Sequence, residues 1–358
     1  MANIFDYLND VAYDSFYDLP VNELDVLALT ELTYLTFDGV VTQEPKRLID
    51  LASQIPRDTT MLTNKNRLQL LDQLAQHKRF KNCKLSDFIN DIDPELQKQF
   101  AAMTYRISLD TYLLVFRGTD DSIIGWKEDF HMTYMKEIPA QKHALQYLQD
   151  FLAQHPNQKV VLAGHSKGGN LAVYAASHLE SLLQKDIVAV YTFDAPGLHK
   201  ELTETTGYQN MMERTKVFIP QGSIIGMMLE IPDKEIVVRS TALGGIAQHD
   251  TFSWQVEDKH FVQLDETNSD SQQVDTTFKE WVETVPDTEL QLYFDLFFGI
   301  ILDAGISSIN DLSSFKVIEH IHHLFVQAQS LTPEERETMG RLTQLLIDTR
   351  YQAWKNRE

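Results

Sequence analysis

The stretch KVVLAGHSKGGNLAVYA, residues 159–175, constrains the fold of this chain more than any other part of its sequence. An apolar strand pattern leads into Gly164, Ser166 and Gly168, and a helical pattern follows directly. A serine exposed at so sharp a turn leaves no room for side chains two residues away on either side, and glycines occupy both positions. The alternative is a tight turn in which Ser166 merely caps the helix. Both interpretations predict a strand–turn–helix unit of an α/β protein.

Strand and helix patterns alternate through the middle of the chain. Strand patterns occur at KVVLAG, IVAVYTF and VFIP, and a β-hairpin is predicted within 103–120. Helical spacing is found at 22–36, 66–80, 94–101 and 139–155, and again from about residue 273 to the end. Such alternation favours a mostly parallel central sheet flanked by helices. We therefore expect an α/β domain over 1–270 and a helical C-terminal extension over 271–358.

A nucleophilic serine needs a base, and chains with this turn place serine, acid and histidine in that order. His249 lies in QHDTFSWQV, a turn before a predicted strand, from which an imidazole can reach the edge of the sheet. His178 lies on the helix after the serine and is expected to point away from it. We expect His249 to be the base and His260 to be the second choice; the alternative for His249 is an ordinary loop histidine.

Asp194 is the candidate for the acid that orients the imidazole. It ends the strand VAVYTFD, one strand beyond that of Ser166, where a carboxylate would lie at the same edge of the sheet. The next strand, VFIP, is followed by Gln221-Gly222-Ser223 and offers no carboxylate. The alternative for Asp194 is a structural aspartate that caps the Pro-Gly turn after it.

Two backbone amides are expected to hold the developing oxyanion. One belongs to Lys167, the residue after the nucleophile. The other is expected from VFRGTDDS, where a strand ends, Gly118 lets the backbone approach, and Thr119 offers an amide and a hydroxyl. The alternative is a simple turn at the end of a strand.

Composition argues against several classes of protein and of site. A net charge of −21 opposes binding to nucleic acids. The single cysteine, Cys83, allows no intramolecular disulfide, so a cytoplasmic location is expected. The N-terminus lacks the pattern of a secretory signal, and the apolar run 292–306 contains two aspartates, which predicts a buried helix rather than a transmembrane segment. No metal-ligand spacing and no nucleotide-binding motif is present, so neither a metal nor an organic cofactor is expected.

The segment LLVFRGTDDSIIGWKEDF resembles the oxyanion loop of class 3 lipases, the fungal triacylglycerol lipase group of α/β-hydrolases. Their nucleophile turn is of the same GHSxGG type, and YTFDAP resembles the strand that follows it. The N-terminal segment, AGHSKGGNLA and QHDTFSWQV together also resemble a bacterial family of lipase-like proteins over about residues 1–265. The resemblance implies an α/β-hydrolase fold.

The resemblance also implies roles for individual residues. Ser166 would be the nucleophile and His249 the base, and Thr119 and Lys167 would frame the oxyanion. Class 3 lipases carry the acid after the strand that corresponds to VFIP, where this chain has Ser223 or a neighbour. Pancreatic-type lipases carry an aspartate one strand earlier, which supports Asp194. Trp126 and Asp129 match a W-x-x-D stretch of the family and are expected to hold the oxyanion loop.

Together these residues predict a serine hydrolase that cleaves a carboxylic ester of a lipid or another acyl compound through an acyl-enzyme. The alternative is a weak or inactive α/β-hydrolase scaffold that binds a partner, and acyl transfer to an alcohol would use the same residues. The apolar segments 226–229 and 243–246 are candidates for an acyl pocket or a lid, with ordinary core or interface as the alternative.

Overall fold

Nine strands form one sheet in the part of the chain that the computed structural model describes, which is residues 2–59, 64–93, 95–120, 123–231, 234–306 and 317–355. In spatial order, which is also chain order, they are β1 (Lys46–Arg47), β2 (Lys84–Asp93), β3 (Lys98–Arg106), β4 (Thr111–Phe116), β5 (Lys159–His165), β6 (Ile187–Phe193), β7 (Thr215–Pro220), β8 (Ile236–Val238) and β11 (Gln263–Leu264). Strands β9 (Val256–Glu257) and β10 (His260–Phe261) pair with each other.

The five strands β4 to β8 are parallel, and antiparallel strands extend the sheet on both sides of them. The carboxyl ends of parallel strands lie at one edge, so the turns after β5 and β6 are neighbours. The register of β5 and β6 agrees with this arrangement, because His165 pairs with Phe193 at the ends of the two strands. The predicted fold class, a mostly parallel sheet flanked by helices as in the α/β-hydrolase fold, is confirmed.

Helices cover both faces of the sheet. They are α1 (Ile4–Asp10), α2 (Glu23–Leu32), α3 (Leu48–Leu51), α4 (Asn64–Gln76), α5 (Ile123–His131), α6 (Pro139–Gln154), α7 (Lys167–His178), α8 (Ser181–Gln184), α9 (Lys200–Thr203), α10 (Thr206–Met212), α11 (Gly245–Gln248), α12 (Ser269–Thr284), α13 (Asp287–Asp303), α14 (Val317–Ser330) and α15 (Pro333–Lys355). Along β4, Leu113 and Val115 pack in the core beneath α2, whereas Leu114 and Phe116 pack in the core beneath α6 and α7. This alternation follows from the two-residue period of a strand.

The predicted helix over 94–101 is wrong. Residues 98–101 belong to β3, which pairs with β2 in an antiparallel hairpin. The turn between the two strands is held by the Asp93 carboxylate, which accepts hydrogen bonds from the amides of Glu95 and Leu96. A short run of mixed polar and apolar residues fits both periods, and cross-strand pairing decides between them. The other predicted helices correspond to α2, α4 and α6, and the predicted hairpin is β3–β4.

The helices α12 to α15 form the described part of the predicted C-terminal extension. Phe294 and Phe298 on α13 are buried in a cluster that also contains Ile123 of α5. The predicted buried helix over 292–306 is the second part of α13, which ends at Asp303 and is buried on one face only, since Leu292 and Phe297 are exposed. Within the described residues, no helix combines the length and apolar character needed to cross a membrane.

Candidate active site

Ser166 occupies a strained turn between β5 and α7. Its backbone has φ 57° and ψ −137°, a region that residues other than glycine rarely adopt. A Cβ atom at Gly164 would overlap the backbone of Gly168, and one at Gly168 would overlap the carbonyl of Phe116. The two glycines therefore let β4, β5 and α7 approach closely enough to form the turn.

The carboxylate of Asp194 lies at the end of the neighbouring strand β6 and is fully buried. Its Oδ2 accepts a hydrogen bond of 2.6 Å from Nδ1 of His249. Its Oδ1 accepts hydrogen bonds from Ser223 Oγ at 2.5 Å and from the amide of Gly226 at 3.1 Å. A buried carboxylate that accepts from three donors is held in place. The structure thus brings the predicted acid and the predicted base together.

Ser223, in the turn after β7, interacts with the carboxylate of Asp194. The amide of Asp194 donates to the carbonyl of Phe218 on β7, so the turns after β6 and β7 are adjacent. Ser223 Oγ then donates a hydrogen bond to Asp194 across these neighbouring turns. The sequence shows Ser223 after the strand VFIP, but its hydrogen bond to Asp194 depends on contacts between separate strands.

The loop before His249 is fixed at several points. Gln248 accepts a hydrogen bond from the amide of Gly222 at 2.8 Å, and its carbonyl accepts one from Trp254 Nε1 at 2.8 Å. The imidazole of His249 packs against that of His165, with 4.4 Å between the ring centroids. Because His165 directly precedes Ser166, this contact places His249 beside the turn that carries Ser166.

His165 is a site residue that the sequence interpretation missed. It is buried, and burial lowers the pKa of its imidazole well below the usual value, so the ring is neutral. Its Nε2 lies 3.0 Å from the carbonyl of His249 and therefore carries the proton, while Nδ1 accepts from Tyr34 Oη at 3.0 Å. A neutral His165 thus holds the backbone of His249 without adding a charge beside it.

The predicted oxyanion residues Thr119 and Lys167 both interact with α5. Thr119 Oγ1 donates to Asp129 Oδ2 at 2.6 Å, and Lys167 Nζ donates to Glu128 Oε2 at 2.7 Å. A Cβ atom at Gly118 would contact Cβ of Ser166, so the loop after β4 passes directly beside the nucleophile turn. Lys167 is the first residue of α7, where an amide has no acceptor within the helix.

Burial raises the pKa of the Asp129 carboxyl to about 6. Lys167, the hydrogen bond from Thr119 and the positive form of His249 each favour its ionised form, whereas Glu128 opposes it. The sequence interpretation anticipated a loop-holding role for Asp129 but missed Glu128 and the side chain of Lys167. A single lysine after a serine gives no signal of a buried partner 39 residues earlier.

The remaining candidate residues make other contacts or none. Among the described residues, Ser166 Oγ makes no hydrogen bond, so the predicted nucleophile is not hydrogen-bonded to His249. The second-choice base, His260, bonds instead to Glu23 at 2.7 Å, and His178 stacks on Tyr174. No group of histidine, cysteine, aspartate or glutamate side chains within the described ranges is arranged to hold a metal ion.

The model of the Mbeg1-like family matches residues 74–299 of the chain. No curated protein matches it in sequence. Similar solved structures include lipase II from Rhizopus niveus (15% identity, TM-score 0.37, 66% of this chain and 82% of that chain covered) and a mutant form of MDLA from Penicillium cyclopium (13%, 0.41, 69% and 87%). A lipase propeptide complex from Rhizomucor miehei is similar at 18% identity and a TM-score of 0.34, over 48% of this chain and 59% of that chain.

Proposed function

The chain belongs to the Mbeg1-like family, and from the geometry of its site we propose that it is a serine hydrolase that cleaves a carboxylic ester of a lipid or another acyl compound. The observation that carries the proposal is the 2.6 Å hydrogen bond between His249 Nδ1 and the buried carboxylate of Asp194, beside a serine with a strained backbone. A serine that only caps a helix needs neither a strained backbone nor a neighbouring histidine–aspartate pair.

Each residue has a defined part in this reaction. With Nδ1 donating to Asp194, Nε2 of His249 is the basic nitrogen and takes the proton of Ser166 Oγ as that oxygen attacks the ester carbonyl. The carbonyl oxygen gains the negative charge, which the amides of Thr119 and Lys167 stabilise. His249 then gives its proton to the leaving alcohol, and an acyl-enzyme remains.

Water completes the cycle. Nε2 of His249 accepts a proton from the water as it attacks the acyl-enzyme, and it returns that proton to Ser166 Oγ as the acid is released. Asp194 orients His249 and stabilises the imidazolium that forms in both halves of the reaction. Rotation of the Ser166 side chain toward His249 accompanies substrate binding, since catalytic hydrogen bonds commonly tighten in the substrate complex.

The decisive test is labelling with a fluorophosphonate, in which an activated serine displaces fluoride from phosphorus. We expect one adduct, mapped by mass spectrometry to Ser166, and no adduct in the Ser166→Ala variant. His249→Ala should lose labelling as well, because the serine then has no base. His260→Ala is the matched control and should label like the unmodified protein, since that imidazole bonds to Glu23.

Failure to label the folded protein would contradict the proposal. A folded chain that takes no fluorophosphonate, yet gives normal thermal unfolding, would be a non-catalytic scaffold of the α/β-hydrolase fold. The lack of a hydrogen bond to Ser166 Oγ in the described residues is the observation that favours this second candidate.

The single cysteine supports a proposal about location. Cys83 is buried and has no partner cysteine with which to form an intramolecular disulfide, which suits a reducing compartment such as the cytoplasm.

A further inference from the structure

The N-terminal segment contributes two buried side chains to the surroundings of the candidate active site. Glu31 lies on α2, Tyr34 follows that helix by two residues, and both are buried. Both precede residue 74, where the match to the family model begins. Each of them contacts a residue that flanks the predicted nucleophile or the predicted base. The N-terminal segment is therefore more than a cover for one face of the sheet.

The hydroxyl of Tyr34 lies where two loops of the site meet. It donates to Nδ1 of His165 at 3.0 Å, and Nε2 of the same ring donates to the carbonyl of His249 at 3.0 Å. A Cβ atom at Gly118 would lie 2.4 Å from this hydroxyl and 3.0 Å from Cβ of Ser166. One hydroxyl thus contacts the loop that is expected to hold the oxyanion and, through one imidazole, the loop that carries the predicted base.

Glu31 holds the loop of His249 at a second position. One of its carboxylate oxygens accepts a hydrogen bond of 2.8 Å from Thr251 Oγ1, two residues after His249. The other oxygen accepts a hydrogen bond of 3.0 Å from Arg67 of α4, whose Cζ lies 4.0 Å from the ring centroid of Tyr34. The loop is therefore tied at two positions to one buried cluster, in which the guanidinium compensates the charge of the carboxylate.

The Tyr34 hydroxyl also selects the tautomer of His165. Glu31 Oε1 lies 3.8 Å from Nδ1 of that ring and favours a proton on this nitrogen. Donation from Tyr34 opposes this, because the Nδ1 that accepts a hydrogen bond cannot carry the proton of a neutral ring. Without the hydroxyl, the proton moves to Nδ1, and the lone pair of Nε2 then faces the carbonyl oxygen of His249. An attraction at the backbone of the predicted base becomes a repulsion.

We propose that Tyr34 is a positioning residue for His249 and that it acts through His165. Glu31 supports the same loop through Thr251. This inference rests on the proposed function and extends the site to the N-terminal segment. These side chains fix the place of the His249 imidazole without touching the ester. Displacement of a catalytic group by about 1 Å lowers reaction rates by a factor on the order of 100.

A substitution of one hydroxyl tests this role. Tyr34→Phe keeps the ring that Arg67 covers. We expect the rate constant for labelling of Ser166 by an alkyl fluorophosphonate, and kcat for p-nitrophenyl butanoate, to fall by a factor on the order of 10–100, with KM unchanged. Tyr105→Phe is the matched control, because its buried hydroxyl bonds to the carbonyl of Leu29 on α2 at 3.0 Å. It should leave both rates unchanged.

A double-mutant cycle tests the route through His165. In a His165→Asn background, Tyr34→Phe should slow labelling no further, because the ring through which it acts is gone. A slowing equal to the product of the two single effects would overturn the inference.

Two variants of Thr251 test the second contact. Thr251→Val removes the hydroxyl that donates to Glu31 and should lower kcat for p-nitrophenyl butanoate, whereas Thr251→Ser retains that hydroxyl and should keep kcat near its original value. Equal kcat values for these two variants would overturn the part assigned to Glu31.

Hydrogen exchange in the free protein separates this inference from the proposed function. Tyr34→Phe should exchange the amides of residues 247–254 faster than Tyr105→Phe does, whether or not Ser166 reacts. Faster exchange in a protein that takes no fluorophosphonate, even when unmodified, would overturn the proposed function alone. Labelling of Ser166 at the same rate in both variants, with equal exchange, would overturn the inference alone.

Discussion

At the scale of single residues, the carboxylate of Asp194 controls the orientation of His249. Replacement by asparagine keeps the size of the side chain but removes the charge that stabilises the imidazolium, and it permits the wrong tautomer. We expect Asp194→Asn to lower kcat for a soluble ester by a factor on the order of 10⁴, with unchanged circular dichroism. Asp270→Asn, at an exposed position, is the control. Undiminished turnover in Asp194→Asn would mean that another group orients His249.

The buried ion pair of Lys167 and Glu128 should matter for stability. Both side chains are inaccessible to solvent, and their charged atoms are 2.7 Å apart. Lys167→Met leaves the Glu128 carboxylate buried without its cation, which should lower the free energy of unfolding by about 3–5 kcal/mol. Lys136→Met makes the same substitution in an exposed pair with Glu201 and should leave the urea midpoint unchanged. Similar midpoints for both variants would show that Glu128 is compensated elsewhere.

Asp129 should make stability depend on pH. Its pKa of about 6 in the folded chain exceeds the ordinary value of 3.8, so the folded state binds the proton more tightly than the unfolded state. This contribution to stability is present at low pH and is lost as pH rises from about 4 to about 6. Asn at this position does not titrate. The free energy of unfolding of Asp129→Asn minus that of the unmodified protein should therefore rise over this interval and stay constant above it.

The groups that face Asp129 provide a second variant for this pH experiment. These groups are Lys167, Glu128, Thr119 and His249. Replacing Lys167 removes the cation that favours the ionised form of the Asp129 carboxylate. Lys167→Met should consequently move the upper end of the interval to higher pH. A difference curve that is flat between pH 4 and 6 would show that Asp129 keeps an ordinary pKa.

At the scale of secondary-structure elements, the unit β5–turn–α7 depends on contacts between backbones. Gly164→Ala places a methyl group against the backbone of Gly168, which cannot move aside as a side chain can. We expect the free energy of unfolding to fall by about 1–3 kcal/mol or more, which is the usual cost of overpacking. Fluorophosphonate labelling should be lost as well. Gly299→Ala on α13 meets nothing within 4 Å and should stabilise its helix by about 0.5–1 kcal/mol. Normal labelling of Gly164→Ala would show that the turn tolerates a side chain.

The same elements show what sequence alone could predict. The sequence predicts β5, β6, β7 and α7 because the periodicity of apolar residues and the glycines that mark turns are local properties of the chain. The strand at residues 98–101 escapes prediction because it is determined by pairing with β2. The contact of His165 with His249 and the bond of Ser223 to Asp194 join residues 84 and 29 positions apart, and periodicity contains no information about such pairs.

At the scale of the whole molecule, the C-terminal helices pack directly on α5, which also carries Asp129. Phe130 lies between Phe278, Phe294 and Phe298, with ring centroids 4.8 to 6.5 Å away. Lys127 on the same helix pairs with Asp295 at 2.7 Å. Helix α5 therefore packs against the described helices of the extension, and we propose that α12 to α15 unfold in one cooperative unit with the sheet rather than as an independent domain.

Cooperativity of this kind can be measured by hydrogen exchange in urea. If the packing around Phe130 couples the two parts, amides in α13 should lose protection at the same urea concentration as amides in α7. Phe130→Ala removes the ring contacts with α12 and α13 and should make α13 exchange at lower urea than α7. Phe325→Ala, which removes an exposed ring on α14, should leave the two transitions coincident. Separate transitions in the unmodified chain would instead assign the extension its own stability.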